Sequence, residues 1–176
     1  GNIRKKALPD LIAKIRDTAK AHACIFVNFK SECIKWGAAL EGRLSDLLLR
    51  LGVMQINGDM DKHEKFAFIR LFTSDIKMKN YDPRFLVATT AANTGIDQED
   101  LIHVLRVGLP RCLTTLLQER GRNARKPGLK GMFAVFTDWR LFVKLLLSVV
   151  LSQRKTQSEE IHDHEFVNTT ISSLTQ

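Results

Sequence analysis

Residues 23–29 read ACIFVNF, five apolar residues followed by Asn28 and Phe29. A half-buried strand alternates polar and apolar residues, whereas an unbroken apolar run of strand formers belongs to a strand covered on both faces. Both flanks carry helical periodicity. Upstream, Leu8, Leu11, Ile12 and Ile15 recur at helical spacing and predict an amphipathic helix from about Pro9 to Lys20. Downstream, Ser31 is placed to cap a long helix on which Ile34, Leu40, Leu44, Leu47, Leu48 and Leu51 keep the 3.6-residue period.

The alternation continues along the chain. VMQIN (53–57) reads as a strand, and Asp61 with Glu64 forms a capping box for KHEKFAFIRLF (62–72). RFLVATT (84–90), LIHVLRVG (101–108) and GMFAVF (131–136) read as strands, and CLTTLLQERGRNAR (112–125) as a helix. A closing helix is expected from Trp139 to Leu151, and TSDIKMKNYDP (73–83) reads as an exposed loop. Strand–helix alternation with near-continuous apolar strands predicts an α/β fold, a mostly parallel sheet with helices on both faces. Residues 1–152 are expected to form one domain and the polar, Ser/Thr-rich residues 153–176 a tail or linker. His162 and His164 fall in that tail and read as part of a solvated cluster.

The chain of 176 residues carries 27 Lys+Arg against 19 Asp+Glu, a net charge of +8, which favours a polyanionic partner such as nucleic acid or nucleotide phosphates over a membrane. Its three cysteines, Cys24, Cys33 and Cys112, show no CxxC spacing, which argues against a disulfide framework or a zinc site and suits a reducing compartment. The most apolar run, LFVKLLLSVVL (141–151), is too short to span a bilayer. The first residue is Gly1 and not Met, as expected for a segment of something longer.

Parallel sheets bind ligands beyond the carboxyl ends of their strands. Asn28, Asn57-Gly58 and Thr89-Thr90 follow three of the expected strands and predict a ligand-binding rim there. AANTGID (91–97) is a small-residue loop ending in Gly95 and Asp97, suited to close backbone approach to a phosphate and to a carboxylate contact beyond it. On a continuous helix, Gln118, Arg122 and Arg125 share one face, with Leu113, Leu117 and Ala124 roughly opposite and packed on the sheet. Gly121 costs about 1 kcal/mol relative to Ala within a helix, which predicts a close backbone approach at that point. Two fixed guanidinium forks beside a glutamine suit bidentate recognition of phosphate oxygens. The plain alternative has these arginines pairing with Glu119 or with solvent.

Taken in order, IFVNFK, INGDMDKHEKFAFIRLF, LVATTAANTGID and GLPRCLTTLLQERGRNARKPG resemble the second RecA-like lobe of superfamily 2 helicases, and most of all the RecQ group of DNA helicases. The similarity runs from about Leu8 to Phe136. TTAANTGID resembles motif V, and QERGRNAR resembles motif VI, Q-x-x-G-R-x-x-R. The resemblance implies a three-layer RecA-like sandwich and ATP held between this lobe and an N-terminal one. Arg122 and Arg125 would reach the γ-phosphate, with Arg125 as the arginine finger. Gln118, Gly95 and Asp97 would organise the nucleotide side. Asn28, Phe29, Lys30, Gly58 and Thr89 would contact single-stranded or partly duplex DNA.

The chain departs from the family pattern at several points. Asn57 replaces a usual histidine, Ala124 replaces a usual glycine, and KPG follows the last arginine of motif VI. No cysteines for a zinc subdomain follow. There is no GxxxxGK[ST] and no DExH motif, so the resemblance assigns the phosphate cradle and the Mg2+ ligands to the N-terminal lobe and predicts that this lobe alone is inactive. The expected function is the C-terminal motor lobe of an ATP-dependent DNA helicase with 3′ to 5′ polarity, intracellular and nuclear in a eukaryote, without a membrane partner. Two alternatives stay open: a lobe of an RNA helicase or double-strand RNA sensor, and a non-enzymatic nucleic-acid-binding module.

Overall fold

The structure, a computed structural model, describes residues 2–74, 81–90, 96, 99–110, 112–140, 143 and 147. Nine elements follow in the order α1 (Asn2–Asp17), β1 (His22–Phe26), α2 (Lys30–Asp46), β2 (Leu51–Ile56), α3 (Lys62–Thr73), β3 (Asp82–Ala88), β4 (Leu101–Val107), α4 (Leu113–Arg120) and β5 (Met132–Phe136) among the described residues. The strands form one sheet in the order β2-β3-β1-β4-β5, and every neighbouring pair is parallel. The expected α/β architecture is present.

The central position of β1 explains its sequence. All residues from His22 to Phe26 are buried. Ala23, Ile25 and Val27 join one core with Leu8, Leu11, Ile12 and Ile15 of α1 and Cys33, Trp36, Leu40 and Leu44 of α2. Cys24 and Phe26 point the other way, into a second core with Met54, Ile56, Ile69 and Phe72. Each large aliphatic or aromatic side chain buried this way contributes about 1.5–3 kcal/mol. Removing polar residues from both faces of one strand ties the two helical layers to it.

The helix limits differ from those the periodicity predicts. α1 starts at Asn2, accommodates Pro9, and stops at Asp17, with Lys20 in the left-handed region at φ 60° as the chain turns into β1. α2 begins at Lys30, so Ser31 lies inside it. The N-cap is Phe29, which makes no side-chain capping bond. Its expected apolar stripe is also too long. Leu48 takes φ 53°, its N–H bonds the Ser45 carbonyl, and the Leu49 N–H bonds Leu44, a six-to-one closure that ends the helix. Leu47 and Leu48 therefore face solvent, Leu51 opens β2, and the buried face is Cys33, Trp36, Gly37, Leu40 and Leu44. α3 has Asp61 as its N-cap, as expected, but the side chain accepts from the His63 N–H at 2.9 Å and not from Glu64.

The chain divides into two compact units, Gly1–Phe136 and Thr137–Gln176. In the second, residues 139, 140, 143 and 147 are helical, while the expected boundary at 152 and the tail histidines lie outside the described residues. Among the described residues no helix is long and apolar enough to cross a membrane.

Candidate functional site

The all-parallel sheet brings the carboxyl ends of β1, β2 and β3 to one edge, since Phe26 is in register with Ala88, and Ala88 with Ile56. Asn28, Gly58 and Thr89 follow these strand ends and so lie along that edge. Phe29 and Lys30 join them at the start of α2. Phe29 is 62% exposed. Lys30 Nζ lies 2.5 Å from Asp59 Oδ2, and this contact holds the Asp59 carboxyl below the usual carboxylate range. Gly58 is exposed, and a Cβ built on it would meet nothing within 4 Å, so the free space beside it faces solvent. Thr89 is buried, with its N–H donating to the Ile56 carbonyl at 3.0 Å.

Asn28 differs from its neighbours. Its backbone N–H donates to Glu32 Oε2 at 3.2 Å, and its side chain turns inward. Nδ2 donates to the Leu109 carbonyl at 3.1 Å, while Oδ1 accepts from Arg106 Nη2. Its amide thus serves the interior of the lobe, and its neighbours Phe29 and Lys30 present the exposed chemistry.

The arginine segment does not take the expected shape. α4 ends at Arg120 with Gly121 as its C-cap, so Gln118, Arg122 and Arg125 do not share one helical face. Gly121 keeps an ordinary φ of −65°, and a Cβ there would meet the Leu117 carbonyl oxygen at 3.3 Å, so the close approach is to the last turn of its own helix. Leu117, expected to be packed on the sheet, is 53% exposed. Leu101, at the start of β4, accepts the Ala124 N–H at 2.8 Å, which fixes the turn beside that end of the strand. Arg122 is only 9% exposed, and its Nη1 donates to the Ile96 carbonyl. Arg125 is exposed, with Nε donating to the Gly121 carbonyl at 3.0 Å, and Gln118 is exposed on the last turn of α4. Gly95 and Asp97 lie outside the described residues.

Between the edge and the turn lies an ion pair that sequence reading missed. Arg106 Nη1 donates to Glu119 Oε1 at 3.0 Å, and both side chains are 0% exposed. Arg106 Nε also donates to the Gly108 carbonyl at 3.1 Å. Burial pushes the Glu119 carboxyl up to about 7, against the opposing pull of Arg106 and Arg122. Burial likewise lowers the pKa of Arg106, against the pull of Glu119 and Glu32. The available signal was a lone arginine in the otherwise apolar end of LIHVLRVG. The plain alternative pairs Glu119 with the motif arginines, whereas its ion-pair partner is Arg106.

The exposed donors at the turn, a guanidinium and an amide, have the chemistry to receive phosphate oxygens and fit the triphosphate of ATP. They are not a metal ligand set, and no group of three His, Cys, Asp or Glu among the described residues could hold a metal ion.

Comparison with known proteins places this arrangement in a family. Residues 4–127 match the helicase conserved C-terminal domain. Over 153 residues the chain is 26% identical to DEAD-box ATP-dependent RNA helicase 50 of Oryza sativa subsp. japonica, covering 87% of this chain and 23% of that protein. Over 103 residues it is 29% identical to the probable ATP-dependent RNA helicase ddx41 of Dictyostelium discoideum, covering 58% of this chain and 14% of that protein. The chain thus spans less than a quarter of either relative. Among solved structures, the E. coli DEAD-box protein SrmB bound to regulator of ribonuclease activity A superposes with TM-score 0.54 at 25% identity, covering 75% of this chain and 72% of that one. Domain 2 of the DEAD-box helicase Mss116p, bound to an RNA duplex, superposes with TM-score 0.64 at 18% identity, covering 78% and 50%, and shares the fold. These relatives are DEAD-box proteins and RNA helicases by name, and the RecQ-type resemblance finds no support among them. The chain belongs to the helicase conserved C-terminal domain family of superfamily 2.

Proposed function

We propose that this chain is the C-terminal motor lobe of an ATP-dependent RNA helicase. The observation that carries the reading is the match of most of the chain to a relative named as an ATP-dependent RNA helicase. The exposed Arg125 beside a buried Arg122, opposite a basic and aromatic edge at the strand ends, supports it. RNA replaces DNA as the leading substrate because the curated relatives are named for RNA. The RecQ-type DNA reading retains in its favour the sequence GLPR before α4 and KPG after the turn.

Bound ATP supplies the phosphoanhydride whose cleavage drives lobe movement. Arg125 is the residue of this chain placed to meet its γ-phosphate, and Arg122 holds the turn against the Ile96 backbone. Lys30, Phe29 and the open backbone at Gly58 form the strand-contacting surface, through phosphate attraction and base stacking. The Mg2+ ligands and the phosphate cradle belong to an N-terminal lobe, so the 176-residue chain alone is expected to turn over no ATP. Unwinding assays of the full-length protein on matched RNA and DNA duplexes test the reading. Preferential unwinding of RNA supports it, and preferential unwinding of DNA returns the RecQ-type alternative. A protein that neither hydrolyses ATP nor unwinds either duplex is the non-enzymatic module.

A further inference from the structure

The strand-contacting edge and the arginine turn sit at opposite ends of β4. Arg106 lies near its carboxyl end, while Ala124 is bonded to Leu101 at its start. Five residue steps of strand separate those points, about 16 Å at ~3.3 Å per step. A lobe that uses strand binding to promote hydrolysis must hold the two in a fixed relation.

A polar chain runs from the edge into α4, three residues short of Arg122. Asn28, next to Phe29 and Lys30 on the edge, receives Arg106 Nη2, and Arg106 in turn holds Glu119. Glu119 lies in α4 directly before Arg120, Gly121 and Arg122. Gly108 adds a cradle for Asn28: it takes φ 77°, and a Cβ on it would lie 2.7 Å from Asn28 Nδ2. Stability alone does not account for this arrangement. Burying a guanidinium against a carboxyl carries a large desolvation cost, and apolar replacements of similar volume are often as stable or more so. Glu119 also leaves Oε2 buried without a hydrogen-bond partner. What the pair does supply is direction, because a guanidinium fork fixes both of its acceptors at once.

We propose that Asn28, Arg106 and Glu119 form a positioning relay that sets the arginine turn relative to the strand-contacting edge, so that nucleic acid on the edge accelerates ATP hydrolysis. The proposal rests on the motor-lobe reading. None of the three touches nucleotide, and each acts through Arg122 and Arg125 at one end or Phe29 and Lys30 at the other.

The test uses the full-length protein, with ATP turnover measured with and without a saturating single-stranded RNA oligomer. Glu119→Gln removes the charge and keeps the shape. Arg106→Lys keeps a cation for Glu119, but one ammonium cannot hold Asn28 and the Gly108 carbonyl as the fork does. In both variants RNA-stimulated kcat should fall at least about tenfold, with ATP KM and RNA Kd within about twofold of wild type. A purely structural role would lower Tm and leave kcat per folded molecule and the stimulation factor unchanged, and that result overturns the relay. If Glu119→Gln does not fold, the double variant Arg106→Gln/Glu119→Gln leaves no unpaired buried charge and is held to the same criterion. A wild-type protein that no nucleic acid stimulates would instead sink the motor-lobe reading, an outcome distinct from stimulation that survives in the variants.

Discussion

Ala124 donates its N–H to the Leu101 carbonyl at 2.8 Å, and this bond fixes the arginine turn beside the start of β4. Ala124 meets that geometry at φ 50°, in the left-handed region that costs a non-glycine residue about 1–2 kcal/mol. The strain falls where the family pattern commonly has glycine. Ala124→Gly should therefore stabilise the chain by roughly 0.5–1 kcal/mol after the entropy cost of glycine is subtracted. Leu48→Gly should do the same at φ 53°, while removing a side chain that is 90% exposed. Urea midpoints of the two variants check both expectations, and a fall in either midpoint would show that the strain is relieved in solution.

The two motif arginines should separate experimentally, because one is buried and the other exposed. Arg122→Ala removes the contact to the Ile96 carbonyl and should cost about 1–3 kcal/mol of stability. Arg125→Ala should change stability by less than about 0.5 kcal/mol, as expected for an exposed side chain away from the core. Thermal denaturation of both proteins tests the contrast, and equal losses would contradict it.

A pH dependence follows from Glu119. Its carboxyl is raised from 4.5 to about 7 by burial, so across that window the folded state holds a proton that the unfolded chain has released. Stability contributed by this group is present below about pH 4.5 and is lost as pH rises towards 7. His22 and His103 act in the opposite sense: burial lowers both below 6.5, and their contribution is lost as pH falls. The informative quantity is therefore the difference between wild type and Glu119→Gln, which should drift against wild type from pH 4.5 to 7 and level off above. A flat difference would show that Glu119 stays charged.

At the strand-contacting edge, Lys30 must leave Asp59 to reach a phosphate. Lys30→Ala should weaken RNA binding and reduce the salt slope by about 0.7, the value for one phosphate contact on a single strand. Asp59→Asn should strengthen binding at low salt by releasing Lys30. Titrations at several salt concentrations distinguish these effects, and an unchanged slope in Lys30→Ala would remove that lysine from the interface.

What was legible in the sequence follows from how each element is stabilised. β1 could be read because central burial leaves an unbroken apolar run, and the parallel sheet followed from its repetition along the chain. The ends of α2 and α4 could not, because both are set by backbone closure at Leu48 and Gly121 and not by side-chain pattern. The separation of Arg122 from Arg125 was hidden for the same reason, since spacing of i, i+4 and i+7 from Gln118 gives one face on a continuous helix. Arg106 was the least legible, because a charge inside an apolar strand declares its partner only once α4 is placed beside it.

The most direct measurement is ATP turnover by the full-length protein, wild type against Arg125→Ala, in the presence of RNA. An arginine finger predicts a fall in kcat of about 10³ or more with ATP affinity within about twofold. A wild-type kcat in that variant would contradict the placement of this turn at the γ-phosphate.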